Sequence, residues 1–274
     1  MKSPLLFLFT LFLISKPLYA FDRIVSIGGS ITETLYALGE GEKIVGVDAT
    51  SIYPQEAKEK AQLGYRHAIN IEGILSLKPD IIFASDKYLN DALARKLKTL
   101  ELNLVLIKEE ESKEGIISKI QILGKTVSKM NLAEKLINKI EKDFLKAKSL
   151  QPEINDKKVV FIYARGGNRI FLSGKKTPAH KMIKLAGVTN SFSKVEGFKP
   201  ITAESLLLSN PDAIVMLKSG AKSLKDGPWS IKGLSKTKAG KNKSLIVVDD
   251  LAFLGFGPRT GESLIDFIGQ LQKI

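Results

Sequence analysis

The chain contains no cysteine. Disulfides and thiolate metal sites are therefore excluded. A lipoprotein anchor is excluded with them, because it needs a cysteine at the mature start. Past residue 20 no stretch is long and apolar enough to cross a bilayer. Familiar catalytic signatures are missing as well. There is no Gly-x-Ser-x-Gly elbow and no Walker loop, and Gly28-Gly29-Ser30 lacks the spacing of a dinucleotide fingerprint. The two histidines, His67 and His180, stand in no triad or zinc spacing. An α/β hydrolase or a nucleotide-dependent enzyme finds little support here.

What is present is a chain of 274 residues, 44% apolar, enough for one large or two medium α/β domains with proper cores. Residues 1–20 read as a secretory signal peptide. Met1-Lys2 is a short basic start, Leu5 to Ile14 an apolar run too short to span, and Leu18-Tyr19-Ala20 a plausible cut. The mature protein is expected to begin near Phe21 and to work in the periplasm. Loss of Lys2 and Lys16 takes the formal charge from +13 to +11. The surplus is lysine spread through helices. With export, that distribution argues against nucleic acid and for anionic small molecules.

The organising feature is a unit used twice. Glu72 opens an apolar helical turn, Pro79-Asp80 follows seven residues later, and Ile81-Ile82-Phe83 is a strand. Glu204, Pro211-Asp212 and Ala213-Ile214-Val215 repeat the pattern. Two similar halves are implied. In the first, strands at 23–27, 43–47, 80–84 and 103–107 alternate with helices at 30–38, 71–77 and 88–100, which means a parallel, doubly wound sheet. Ser30 with Glu33 reads as a capping box. A helix over 114–127 closes this lobe, spanning 21–127. Leu132, Leu136, Ile140 and Phe144 then step by four along an amphipathic helix of about 18 residues, an inter-lobe spacer placed at 128–150. The second lobe, 151–274, repeats the plan. It has strands at 158–163, 188–192, 214–216 and 244–248, a Gly166-Gly167 turn, helices at 177–186 and 261–273, and a lysine- and glycine-rich loop with one helical turn over 219–243.

Open parallel sheets bind ligands beyond the carboxyl ends of their strands. If the two such edges face each other, a cleft forms between the lobes. Tyr65, Arg66 and His67 then lie in one mouth, and Arg165 and Lys218 in the other. Glu72 and Glu204 each follow a plausible helix cap, Asn70 and Thr202, by two residues, where an acid is favoured.

The sequence resembles the periplasmic substrate-binding proteins of ABC importers for iron chelates, cobalamin and haem. The resemblance rests on Arg23-Ile24-Val25-Ser26 with Glu33, the two Glu-to-Pro-Asp units and the spacer helix. It implies an α/β fold of two Rossmann-like lobes with parallel sheets, joined by one long rigid helix. Two shorter stretches are similar to the haem branch: Gly64-Tyr65 with Asn70-Ile71-Glu72-Gly73-Ile74-Leu75, and Asp249-Asp250-Leu251 with Leu254-Gly255-Phe256-Gly257-Pro258-Arg259-Thr260.

That resemblance implies a monomeric, non-catalytic carrier that hands haem to a dimeric ABC permease and its ATPase. A ferric-siderophore or corrinoid carrier is the alternative. Tyr65 becomes the axial ligand to ferric iron, since a phenolate is a hard anionic oxygen donor. Arg66 or His67 would hydrogen-bond it; the sequence leaves open which, because the family often has arginine two places after the tyrosine. Arg165 stands where some members carry a histidine ligand, so five-coordinate iron, or water in the sixth place, is expected. Arg165, Lys218 and Arg259 are the candidates for the propionates. Phe198, Leu254 and Phe256 are candidate apolar walls, and His180 is expected on the surface. Glu72 and Glu204 are expected to dock the permease.

Overall fold

A computed structural model describes residues 21–154, 156–165 and 169–274. The signal segment 1–20 and the Gly166-Gly167 turn lie outside the described residues. The first lobe runs β1 (Ile24–Ile27), α1 (Gly29–Ala37), β2 (Ile44–Val47), β3 (Ala61–Gln62), α2 (Ile71–Ser76), β4 (Ile81–Ser85), α3 (Asp91–Thr99), β5 (Leu104–Ile107) and α4 (Lys113–Thr126). Its five-stranded sheet has the order β3-β2-β1-β4-β5. Every pairing is parallel. The helix α5 (Met130–Leu150) follows.

The second lobe runs β6 (Lys158–Ala164), β7 (Ile170–Ser173), α6 (Pro178–Leu185), β8 (Thr189–Asn190), β9 (Phe198–Pro200), α7 (Ala203–Ser209), β10 (Ala213–Leu217), α8 (Lys218–Ser223), α9 (Lys238–Asn242), β11 (Leu245–Val248), α10 (Asp250–Leu254) and α11 (Thr260–Leu271). Its sheet order is β11-β10-β6-β7-β9, with β8 on β6.

The second sheet is mixed rather than parallel. β7 runs antiparallel to both β6 and β9, inside segments that read as loops. Gly197 and Pro200 hide β9 in the sequence; proline is tolerated there because the strand lies at the sheet edge. The segment 219–243 also carries more structure than its lysines and glycines suggest, including α9 capped by the Thr237 hydroxyl.

The repeated Pro-Asp pairs have a structural task. Asp80 accepts the backbone N–H groups of Asp22 and Arg23 at 2.8 and 2.9 Å, where β1 begins. Asp212 accepts the N–H of Lys158 at 2.8 Å, where β6 begins. In each lobe one carboxylate ties the Glu-helix unit to the start of the central strand. Upstream, Ile74 and Leu206 are the fully buried side chains of α2 and α7.

The long helix is not a free-standing strut. It packs against α4 of the first lobe and α11 of the second. Ala133, Ile140 and Ala147 are fully buried in a core that also takes Ile116 and Ile120 from α4 and Leu264 and Phe267 from α11. The lobes are joined by this apolar seam and by polar contacts described below.

Candidate functional site

Parallel strands deliver their carboxyl ends, and the loops after them, to one edge of each sheet. Those edges meet in a cavity of about 570 Å³ lined from the first lobe by Thr50, Ile52, Tyr65, Arg66 and Tyr88. The second lobe supplies Tyr163, Arg165, Phe198, Leu251 and Leu254. A larger groove of about 810 Å³ runs beside α5 and α6, but its rim is mixed lysine and glutamate, with no phenol or guanidinium.

Tyr65 hangs from a tight loop. Gly64 adopts φ +99°, and a Cβ there would sit 2.4 Å from the Ala68 carbonyl oxygen, so glycine alone fits. The Tyr65 side chain is 37% exposed and so accessible from the cleft. The Arg165 guanidinium of the opposite lobe lines the same cleft and is near enough to interact with this phenol. Arg165 donates through Nε to the Tyr163 hydroxyl at 2.7 Å. The neighbouring phenols, Tyr65 foremost and then Tyr163, hold the Arg165 pKa above its ordinary value.

Arg66 takes a different position from the one the sequence suggested. It does not reach the phenol oxygen. Its guanidinium lies over the rings of Tyr65 and Tyr88, 5.3 and 5.1 Å from their centroids. A second cation, Arg165, comes to the same cleft from the second lobe, which no local spacing could reveal. The His67 side chain lies outside the described residues. Tyr88 was not anticipated, although it stands on the loop after β4. Burial pushes its pKa up to about 12, against the lowering effect of Arg66, so it stays a neutral phenol and offers an O–H rather than an anionic oxygen.

On the opposite wall Tyr163 and Phe198 meet with ring centroids 5.2 Å apart. Phe198, 40% exposed, and Leu254 provide apolar surface as expected. Tyr163 was missed; the signal was a polar aromatic one residue from the carboxyl end of a buried strand. Asp250 also lines the cleft and accepts the backbone N–H of Ser219 at 3.1 Å.

Three expected members are elsewhere. Phe256 is 1% exposed in the inter-lobe core, and its carbonyl oxygen accepts from Lys119 at 3.2 Å. Arg259 turns away to Glu33, donating from Nε at 3.0 Å and Nη2 at 3.1 Å, and covers the Tyr53 ring at 3.5 Å. Glu33 therefore caps nothing. Helix α1 starts without a side-chain cap, and burial raises the Glu33 pKa despite the arginine. Lys218 is exposed at the start of α8 and lies outside the lining of the cleft.

Ser30, the other half of the supposed capping box, steadies Lys119, whose ammonium crosses to the Phe256 carbonyl of the second lobe. Its hydroxyl bonds Glu109 at 2.9 Å and the ammonium of Lys119 at 2.6 Å. Lys119 is 1% exposed, and burial lowers its pKa against the pull of Glu109, 2.8 Å away.

His180 is not a surface residue. It is buried, and its Nδ1 lies 3.2 Å from the Asn190 amide nitrogen, which also donates to the Ser173 carbonyl. An amide nitrogen only donates, so Nδ1 accepts. Burial, then the lysines at 184, 181 and 175, depress the His180 pKa.

Glu72 and Glu204 occupy the expected first turns. Asn70 accepts the Glu72 N–H at 2.9 Å. Thr202 and Ser205 form a reciprocal capping box around Glu204. Both carboxylates are exposed.

Two α/β lobes, a shared core and a phenol- and guanidinium-lined cleft define a ligand-binding protein of the two-lobed kind. Residues 24–252 match the Periplasmic binding protein family, and the chain belongs to it. It is 29% identical over 252 residues to the ABC transporter substrate-binding lipoprotein YvrC of Bacillus subtilis strain 168, covering 88% of this chain and 77% of the relative. Identity to a vitamin B12-binding protein of Pectobacterium carotovorum is 26%, with 71% of each covered. Among solved structures, the periplasmic haem-binding protein RhuT of Roseiflexus sp. RS-1, in apo form, superposes with TM-score 0.87 at 32% identity, over 93% of this chain and 99% of that one. The periplasmic haem-binding protein BhuT with two haems gives 0.85 at 27%, over 92% and 98%. The chain is thus a substrate-binding protein of transport and not an enzyme. No helix among the described residues is long and apolar enough to cross a membrane.

Proposed function

We propose that this protein captures haem in the periplasm and delivers it to an inner-membrane ABC transporter. The observation that carries the reading is Tyr65, a cleft-facing phenol that shares the cavity with two guanidiniums, Arg66 beside it and Arg165 from the opposite lobe. A phenolate suits ferric iron. Tyr163, Phe198, Leu251 and Leu254 offer flat apolar contact to a macrocycle. Arg165 and Arg66 are the cleft cations suited to propionates. The cavity falls within the ordinary range for small-molecule sites, about 300–1,000 Å³. The haem-binding neighbours agree with this chemistry.

Haemin titration of the mature protein, followed by absorbance, tests the reading. A Soret shift in wild type that changes in Tyr65→Phe supports it. Identical spectra for the two proteins remove Tyr65 from the site. A corrinoid is the second reading, favoured by relatives named for vitamin B12. Cyanocobalamin titrated in parallel separates the two, since tight corrinoid binding indifferent to Tyr65→Phe selects the second.

Glu72 and Glu204, one exposed on each lobe, are proposed to dock the two halves of a dimeric permease, where opposed charges set orientation and encounter rate.

A further inference from the structure

The docking helices carry more than their acids. In α2, Leu75 lies three residues after Glu72 and is 38% exposed. In α7, Leu207 and Leu208 lie three and four residues after Glu204 and are 41% and 80% exposed. Residues three and four apart share a helix face. Each lobe therefore presents an acid and an apolar side chain side by side, while Ile74 and Leu206, one position earlier, are fully buried.

The two copies share the acid, Glu72 and Glu204, and the leucine three residues on, Leu75 and Leu207, but differ at the next position. Ser76 stands in α2 where α7 has Leu208. Neither glutamate forms an ion pair among the described residues, in a chain with 42 lysines and arginines against 29 acids. An unpaired acid beside an exposed leucine is complementary to a basic side chain beside an apolar hollow. A face that occurs twice fits a partner that presents such a surface twice.

We infer that Leu75, Leu207 and Leu208 are apolar anchors of the contact with a two-fold permease, and that the second lobe holds more tightly because it carries Leu208. This rests on the docking reading above. Anchors that bury fully at the centre of an interface carry most of its energy, while rim charges mainly steer. A second copy of this chain is disfavoured as the occupant, because both copies would bring acid against acid at the same face, and a net charge of +13 over the whole sequence adds repulsion.

The test uses haemin-loaded protein and the permease–ATPase complex that supports haem uptake in the same cells, reconstituted in nanodiscs. Leu208→Ser is expected to weaken complex formation about 10-fold, and Leu75→Ser less. Both are surface changes, and neither should alter the Soret titration. If the leucine variants bind like wild type while Glu72→Gln and Glu204→Gln weaken the complex, the anchor inference is overturned and the docking reading stands. If the glutamate variants also bind like wild type, the docking reading itself fails. A concentration-dependent self-dimer abolished by Leu208→Ser would assign the face to a second copy and overturn the inference.

Discussion

Arg259 grips both carboxylate oxygens of Glu33, 226 positions away in the chain, at 3.0 and 3.1 Å. The pair ties the last helical segment to α1 across the lobe boundary, and Glu33 is only 3% exposed. Removing the guanidinium would leave that carboxylate buried without its cation. Arg259→Ala is therefore expected to cost about 3 kcal/mol in urea unfolding, the low end for breaking a buried pair because Arg259 keeps some solvent contact. Haemin titration of the same variant should match wild type. Weakened haem binding with unchanged stability would return Arg259 to the cleft.

Arg165 is expected to behave in the opposite way. It donates to Tyr163 and lies near Tyr65 from an exposed position, so the fold does not depend on it. A hydrogen bond to a charged group contributes about 1.5–3 kcal/mol, so Arg165→Ala should weaken haemin binding roughly 10- to 100-fold. Lys218→Ala, one residue past the cleft wall, should stay within about twofold. Titration of the two variants side by side checks both, and equal losses would put Lys218 in the site.

His180 predicts a pH dependence. Its folded pKa lies below the ordinary 6.5, with burial the leading cause. Below about 6.5 the unfolded chain therefore binds more protons than the folded one, and stability falls as pH falls. The contribution is fully present above the unfolded value and is lost downward from there. Urea midpoints measured from pH 7.5 to 5 for wild type and His180→Gln should converge toward acid, with the difference opening as pH rises. A constant difference would place a solvated imidazole at this position.

The first lobe was nearly readable from periodicity, because its strands are continuous β-branched runs between recognisable caps. The second was less so. β7 and β9 are short, partly exposed and flanked by glycine and proline, so local pattern gives them no signal. Tyr65 was singled out through the loop around it, and it lines the cleft. The sequence offered Arg66 or His67 as its cationic neighbour and placed Arg165 in the other mouth, with no signal that it arrives beside Tyr65 from the facing sheet. Arg259 and Phe256 failed for a related reason. Their motif is built to join the lobes, and a residue type suited to a propionate or a porphyrin face is equally suited to a buried carboxylate or a core.

The Pro-Asp pairs show that a repeat can be read correctly as a repeat while its purpose stays hidden. Nothing in the spacing says that Asp80 accepts from Asp22 and Arg23, or Asp212 from Lys158, since those partners lie more than fifty residues upstream. Asp80→Ala would free two backbone N–H groups at the start of β1. Water can reach them, so the expected cost is about 1–2 kcal/mol. Asp212→Ala should cost about as much, one backbone bond and the Lys238 ion pair being lost together. The two sites share no partner and sit in different sheets, so the double variant should equal the sum within about 0.5 kcal/mol. Denaturant unfolding of the four proteins completes the cycle. A larger coupling would mean that the two strand starts are linked through the inter-lobe core, and that a change at one sheet is felt by the other.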